Sequence, residues 1–200
     1  MEKVEFPFWD DQTDKVITEI YRVTAQCKSV MTKIKTKDIT HVEFEIFGDN
    51  LGKTLNQWTG HTYVGKEKEK HLQKAFQTFF VALQSFLMEC QKLENVNFCE
   101  FANEVLYRGV AYRYLGYGYP DDALDKKIEP RYDGIYVSWS KTPENIYIQS
   151  KLYGKKTLII CNIDEPYYGI DLEPFGVVRG DEAEVVFPTI KEAIVDVQYL

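Results

Sequence analysis

Three short stretches hold side chains whose types and spacing suit chemistry: YRG at 107–109, SWS at 138–140 and EAEVVFP at 182–188. On an extended chain residues two apart point to the same side, so Glu182 and Glu184 face one space while Ala183 and Val185 face the other. Two carboxylates in one space can stabilise a developing positive charge and accept a proton. Standing alone, the same pair reads first as the solvated edge of a strand. In VLYRGV, Arg108 interrupts an apolar strand, and its fixed fork of donors suits a diphosphate. Gly109 directly after it allows close approach of backbone to a ligand. Ser138 and Ser140 share one strand face, with Val137 and Trp139 on the other, and two hydroxyls there can fix a carboxylate and a ligand amide together. Ser140 also precedes Thr142 and Pro143, a good helix start with proline at the first helical position.

The elements that must position these groups fall into two parts. Val16, Ile20, Val23, Cys27, Val30 and Ile34 recur at helical spacing, which predicts a helix over 10–37. A second long helix is predicted over 67–93, where Leu72, Ala75, Phe76, Phe79, Leu83, Phe86 and Cys90 repeat in the same way. Between them, Val42, Phe44 and Ile46 alternate with Glu43 and Glu45, the pattern of a half-buried strand. From residue 104 the chain reads as short segments rich in Val, Ile and Tyr: VLYRGV, GIYVSWS, TLIICNI, GVVRG, AEVVFP and AIVDVQYL. Gly, Pro and Asp clusters divide them, and one short helix is predicted over 142–153. The expectation is one domain over 1–200, mainly helical over 1–100 and mainly antiparallel sheet over 104–200.

Bulk properties narrow the function. The net charge of -7 provides no broad footprint for a phosphate backbone, so dedicated nucleic-acid binding is disfavoured. Cys27, Cys90, Cys99 and Cys161 form no CxxC pair, and His41, His61 and His71 are scattered, so no metal site is expected and the thiols read as reduced. No Gly-rich phosphate loop stands at a strand-to-helix turn. The amino terminus is not a classical secretory signal, and no stretch of eighteen apolar residues occurs. The expectation is a protein that is cytoplasmic where it is made, without a membrane span.

Arginine on the first sheet strand, Ser-x-Ser on a later one and Glu-x-Glu near the carboxyl end, in that order, resemble the signature of the mono-ADP-ribosyltransferases related to cholera toxin, the clostridial C3 toxins and the vertebrate ecto-enzymes. The resemblance covers roughly the carboxyl-terminal half, and the chain departs from the common Ser-Thr-Ser in having Trp139 at the centre. It implies an α+β, ADP-ribosyltransferase-like fold in which amino-terminal helices precede a mainly antiparallel two-sheet core forming an NAD cleft. It further implies that NAD is a consumed substrate, with Glu184 facing the cationic ribose, Ser138 orienting that carboxylate, Arg108 and Gly109 holding NAD, and Ser140 beside them. Tyr147 matches the family's aromatic that stacks on nicotinamide, and Glu182 lies nearer the acceptor. In similar enzymes a glutamate at that position goes with arginine acceptors, so a protein target is expected, a nucleic-acid target less so. The small, unsignalled chain fits a toxin or effector delivered to a host. Tyr112, Tyr114, Tyr117 and Tyr119 could line a lid or contact the partner, or serve as turn and core residues. An NAD glycohydrolase, sharing the same cleft, and a non-enzymatic protein-binding module are the competing expectations.

Overall fold

A computed structural model of the chain describes residues 7–60, 66–115, 135–143, 157–164, 166–177, 183–188 and 190–199. The chain divides into two compact units, Met1–Cys90 and Gln91–Leu200.

The first unit is helical: α1 (Pro7–Lys35), α2 (His41–Gly60) and α3 (Lys66–Cys90), with α1 packing on both others. As the periodicity predicts, Ile20, Val23 and Cys27 of α1 and Phe76, Phe79 and Leu83 of α3 are buried. Aromatic edges knit the unit together: Phe47 meets Phe86 at 5.1 Å, and Trp58 meets Phe76 at 5.1 Å and Phe80 at 5.0 Å. Among the described residues no helix is long and apolar enough to cross a membrane.

The strand expected across residues 42–46 is instead the first turns of α2. Its alternation is misleading because Val42 and Ile46 are exposed (60% and 53%), whereas Phe47, Leu51 and Leu55, spaced four apart, are buried. A reciprocal cap starts the helix. The Glu43 carboxylate accepts from the Thr40 amide at 3.0 Å, and the Glu43 amide donates to Thr40 Oγ1 at 3.2 Å. This satisfies two donors that a helix start otherwise leaves open. Lys33 also reaches the Glu43 carboxylate.

The hydrogen bond from Lys33, followed by those from Thr40, holds the Glu43 carboxyl down at about 2 from its ordinary 4.5. A folded pKa below the unfolded one means stability that is present above about 4.5 and lost as the pH falls towards about 2. Glu43→Gln should therefore lower the melting temperature at neutral pH and match the parent near pH 2. A melting difference that stays constant across this window would contradict the cap's electrostatic role.

The second unit begins with α4 (Val96–Val105), whose start is capped by the Asn95 side chain accepting from the Asn97 amide at 3.1 Å. Neither this helix nor the short strand β5 below was expected from the sequence. Among the described residues seven strands follow: β1 (Leu106–Tyr107), β2 (Gly109–Leu115), β3 (Tyr136–Ser140), β4 (Thr157–Ile163), β5 (Gly169–Asp171), β6 (Glu184–Pro188) and β7 (Ile194–Tyr199). All pairings are antiparallel, in the order β1-β5-β6-β3-β2-β4-β7.

One continuous sheet thus replaces the expected two. The link between β3 and β2 is nevertheless narrow: among the described residues Tyr112 opposite Ser140 is the one registered pair, whereas β2 pairs with β4 along its whole length. The sheet is strongly curled for a topological reason. β1 and β2 are separated by Arg108 alone, yet β5, β6 and β3 lie between them in the ladder order, so the sheet must bend back towards itself. Gly109 makes the jog. Its φ of 142° favours glycine, and a Cβ there would stand 2.9 Å from the Tyr107 hydroxyl oxygen, which donates to the Val110 carbonyl at 2.7 Å.

One face of the sheet carries a core of Ala111, Val137, Trp139, Ile159, Cys161, Val185 and Phe187. Burial pushes the thiols of Cys161 and, in the helical unit, Cys27 up to about 12, so both remain protonated. GVVRG, expected as a strand, starts differently: Gly176, with φ 64°, closes a 3-10 turn over Glu173–Phe175, and Val177 is outside any strand. Val178–Gly180 lie outside the described residues, as does the predicted helix beyond residue 143.

Candidate active site

Strands β3 and β6 pair over five registered positions, with Ser138 opposite Val186, Trp139 opposite Val185 and Ser140 opposite Glu184. Alternation then puts Val137, Trp139, Val185 and Phe187 into the core and leaves Ser138, Ser140 and Glu184 on the other face. Trp139 is 2% exposed and packs edge-on against Phe187 at 6.3 Å, with its indole N–H donating to the Phe187 carbonyl at 3.3 Å. The apolar central residue thus anchors the serines from behind.

On the opposite face the Ser138 hydroxyl donates to Glu184 Oε1. Both residues are half-buried, and the carboxylate is held by its neighbour. A hydroxyl donor here stabilises the ionised carboxylate and fixes its direction.

Ser140 is used locally. Its hydroxyl donates to the Thr142 carbonyl at 2.8 Å and accepts from the Thr142 amide at 3.2 Å, a side-chain turn at the exit from β3. The next residue secures the same corner: the Lys141 amide donates to the Ala183 carbonyl at 2.8 Å, and its ammonium meets Asp171 at 2.8 Å and Glu173 at 2.7 Å. Burial pulls the Lys141 pKa down, but the hydrogen bonds and charges of the two carboxylates outweigh it and the net shift is upward. The start of β6, where Glu184 stands, is therefore tied to β3 and β5. Leu172 adds a bond from its amide to the Glu184 carbonyl at 3.1 Å.

Arg108 occupies the jog between β1 and β2. Continuing the register of Leu106 with Ile170 and Tyr107 with Gly169 puts it opposite Tyr168. Its guanidinium donates to the Tyr168 hydroxyl at 2.5 Å and lies 4.6 Å from the ring centroid. Tyr168, only 5% exposed, is thus a rigid rest for the arginine, and sequence reasoning missed it because the tyrosine pair in EPYYG belongs to no motif. Arg108 is four residues before Tyr112, itself opposite Ser140, which puts it roughly 14 Å from Tyr112 along the strand. Glu182, Tyr147, Tyr117 and Tyr119 lie outside the described residues, as does the side chain of Tyr114.

Of the candidates, the fold brings Ser138 and Glu184 into direct contact, sets Ser140 beside them in a turn, and holds Arg108 on Tyr168 at the bend in the sheet. No family model, curated protein or solved structure matches the chain.

Proposed function

We propose that this chain is a mono-ADP-ribosyltransferase that cleaves NAD and transfers ADP-ribose to a macromolecular acceptor, with protein arginine favoured. The observation that carries this reading is the hydrogen bond from Ser138 to Glu184, two residues far apart in sequence that the motif order pairs in advance. The α+β architecture, with helices ahead of a curled antiparallel sheet, is the coarse frame that the reading requires.

In this mechanism the bond between nicotinamide and ribose breaks, its electron pair passing to the nicotinamide nitrogen, which leaves neutral. Positive charge develops on the ribose, and the oriented Glu184 carboxylate stabilises it electrostatically. Ser138 keeps the carboxylate pointed. Arg108 pairs with the diphosphate through its donor fork. An acceptor nucleophile then bonds to the ribose carbon and gives up a proton to the carboxylate of Glu182, the residue assigned to that acceptor. Ser140 supports the strand exit.

The test is incubation of the protein with NAD labelled in the ADP-ribose half and a cell lysate, followed by protease and nuclease digestion. Label that becomes protease-sensitive supports protein transfer, and nuclease sensitivity would move the acceptor to nucleic acid. NAD consumed without transfer would make the protein a glycohydrolase. Intact NAD across lysates from several hosts would overturn catalysis and favour a binding module.

Tyr168→Phe provides a narrower check. The ring stays under Arg108 while the hydroxyl acceptor is lost. The expected outcome is a KM for NAD raised roughly 3- to 10-fold, in line with the net contribution of one ordinary hydrogen bond, with kcat little altered. An unchanged KM would remove Tyr168 from the support of the arginine.

A further inference from the structure

A second arginine, in AYRYL, stands outside the motif that led to Arg108, and its place in the sheet connects it to the Ser138–Glu184 pair. β2 and β3 meet at Tyr112 and Ser140 and then part, although β2 continues to Leu115 against β4. Were the ladder to continue, Arg113 would face Trp139 and residue 114 would face Ser138. Instead the Arg113 guanidinium reaches across the opening and donates to the main-chain carbonyl of Ser138.

A carbonyl on the open side of a strand needs a partner once it is removed from water. Here that partner is charged, planar and held on a strand that is itself paired along its length with β4. The Ser138 backbone is thus fixed from two sides, by the β6 ladder and by Arg113. The carbonyl's orientation sets the backbone angle at Ser138, and with it the direction from which the hydroxyl approaches Glu184 Oε1.

We propose that Arg113 is a positioning residue for the proposed reaction: by holding the Ser138 carbonyl across the gap between β2 and β3, it sets the geometry of the Ser138–Glu184 hydrogen bond. It acts through Ser138 and touches no substrate. The kinetic consequence rests on the transferase reading, whereas the structural coupling does not.

Two variants and two readouts test this. Arg113→Gln shortens the side chain and removes its charge, and Arg113→Lys keeps the charge but loses the planar fork. Circular dichroism first establishes that each is folded. Misaligned catalytic groups lower turnover rather than ground-state binding, so Arg113→Gln should lower kcat for nicotinamide release by roughly tenfold with KM for NAD changed less than about threefold. Arg113→Lys should recover part of that loss. Equal changes in kcat with no recovery by lysine, or a change in KM alone, would overturn the proposal.

The second readout works without catalysis. The side-chain carboxyl carbon of Glu184 is followed by NMR in protein carrying labelled glutamate, assigned with Glu184→Gln. Ser138→Ala defines the shift produced by loss of the hydroxyl. Arg113→Gln is expected to move the resonance in the same direction, by a substantial fraction of that shift. An unmoved resonance in folded Arg113→Gln would overturn the coupling. If the wild-type protein leaves NAD intact while the resonance moves as expected, the transferase reading and the kinetic role fail and the structural coupling of Arg113 to the Ser138–Glu184 pair stands.

Discussion

Glu184→Gln should lower NAD cleavage by roughly 100- to 1,000-fold, with the fold intact and KM for NAD changed only a few-fold. The magnitude follows from what the substitution keeps. Glutamine has nearly the same shape, and its side-chain oxygen can still accept from Ser138, so β3 and β6 keep their register and the site its outline. What disappears is the full negative charge facing the cationic ribose. In a half-buried site that charge is weakly screened, so its loss falls on the transition state far more than on bound NAD, which has little positive charge to gain at that carbon. Release of nicotinamide under saturating NAD reads the effect on kcat directly. A variant retaining activity within a few-fold of the parent would sink the role given to Glu184, and with it the proposed mechanism.

The second large effect is on stability. Trp139→Thr would bring the motif to the commoner Ser-Thr-Ser, and it should destabilise the sheet unit by about 3–5 kcal/mol. The indole is 2% exposed within a core that includes Val137, Val185 and Phe187, and the smaller side chain leaves a cavity that the flanking strands cannot close without losing their pairing. A buried hydroxyl adds to the cost unless it finds a partner. Because Trp139 faces away from Ser138 and Glu184, the molecules that remain folded should keep most of their turnover. Urea unfolding, with amide hydrogen exchange in β3 and β6 to report on this unit, measures the loss. An unfolding midpoint equal to the parent's would mean that the core behind the serines tolerates the cavity, and that Trp139 is not the anchor inferred from its packing.

These two substitutions probe opposite faces of the paired strands β3 and β6, and the two faces were already legible in the residue pattern. Alternation in SWS and EAEVVFP puts polar groups on one side and apolar groups on the other, whatever the strands pair with. The three-and-four spacing of α1 and α3 was equally readable, because a helix satisfies its own backbone and needs only one apolar face. The segment at 42–46 misled because three alternating apolar residues match a strand as well as a helix. The Thr40 to Glu43 cap was the contrary signal, present in the sequence as Thr-x-x-Glu. Strand β5 is only three residues long, and α4 stands between stronger patterns, so neither had a period long enough to read.

Residue types and their spacing establish which faces are apolar, which residues are chemically capable, and the order in which they occur along the chain. The contacts come from the folded sheet: Ser138 with Glu184, Arg108 with Tyr168, and Arg113 with the Ser138 carbonyl. Local patterning specifies a side chain's direction relative to its own strand, but contact across strands depends on register and order. Those are set by long-range ladder pairing, and here by the jog at Gly109 that returns β2 to the neighbourhood of β3.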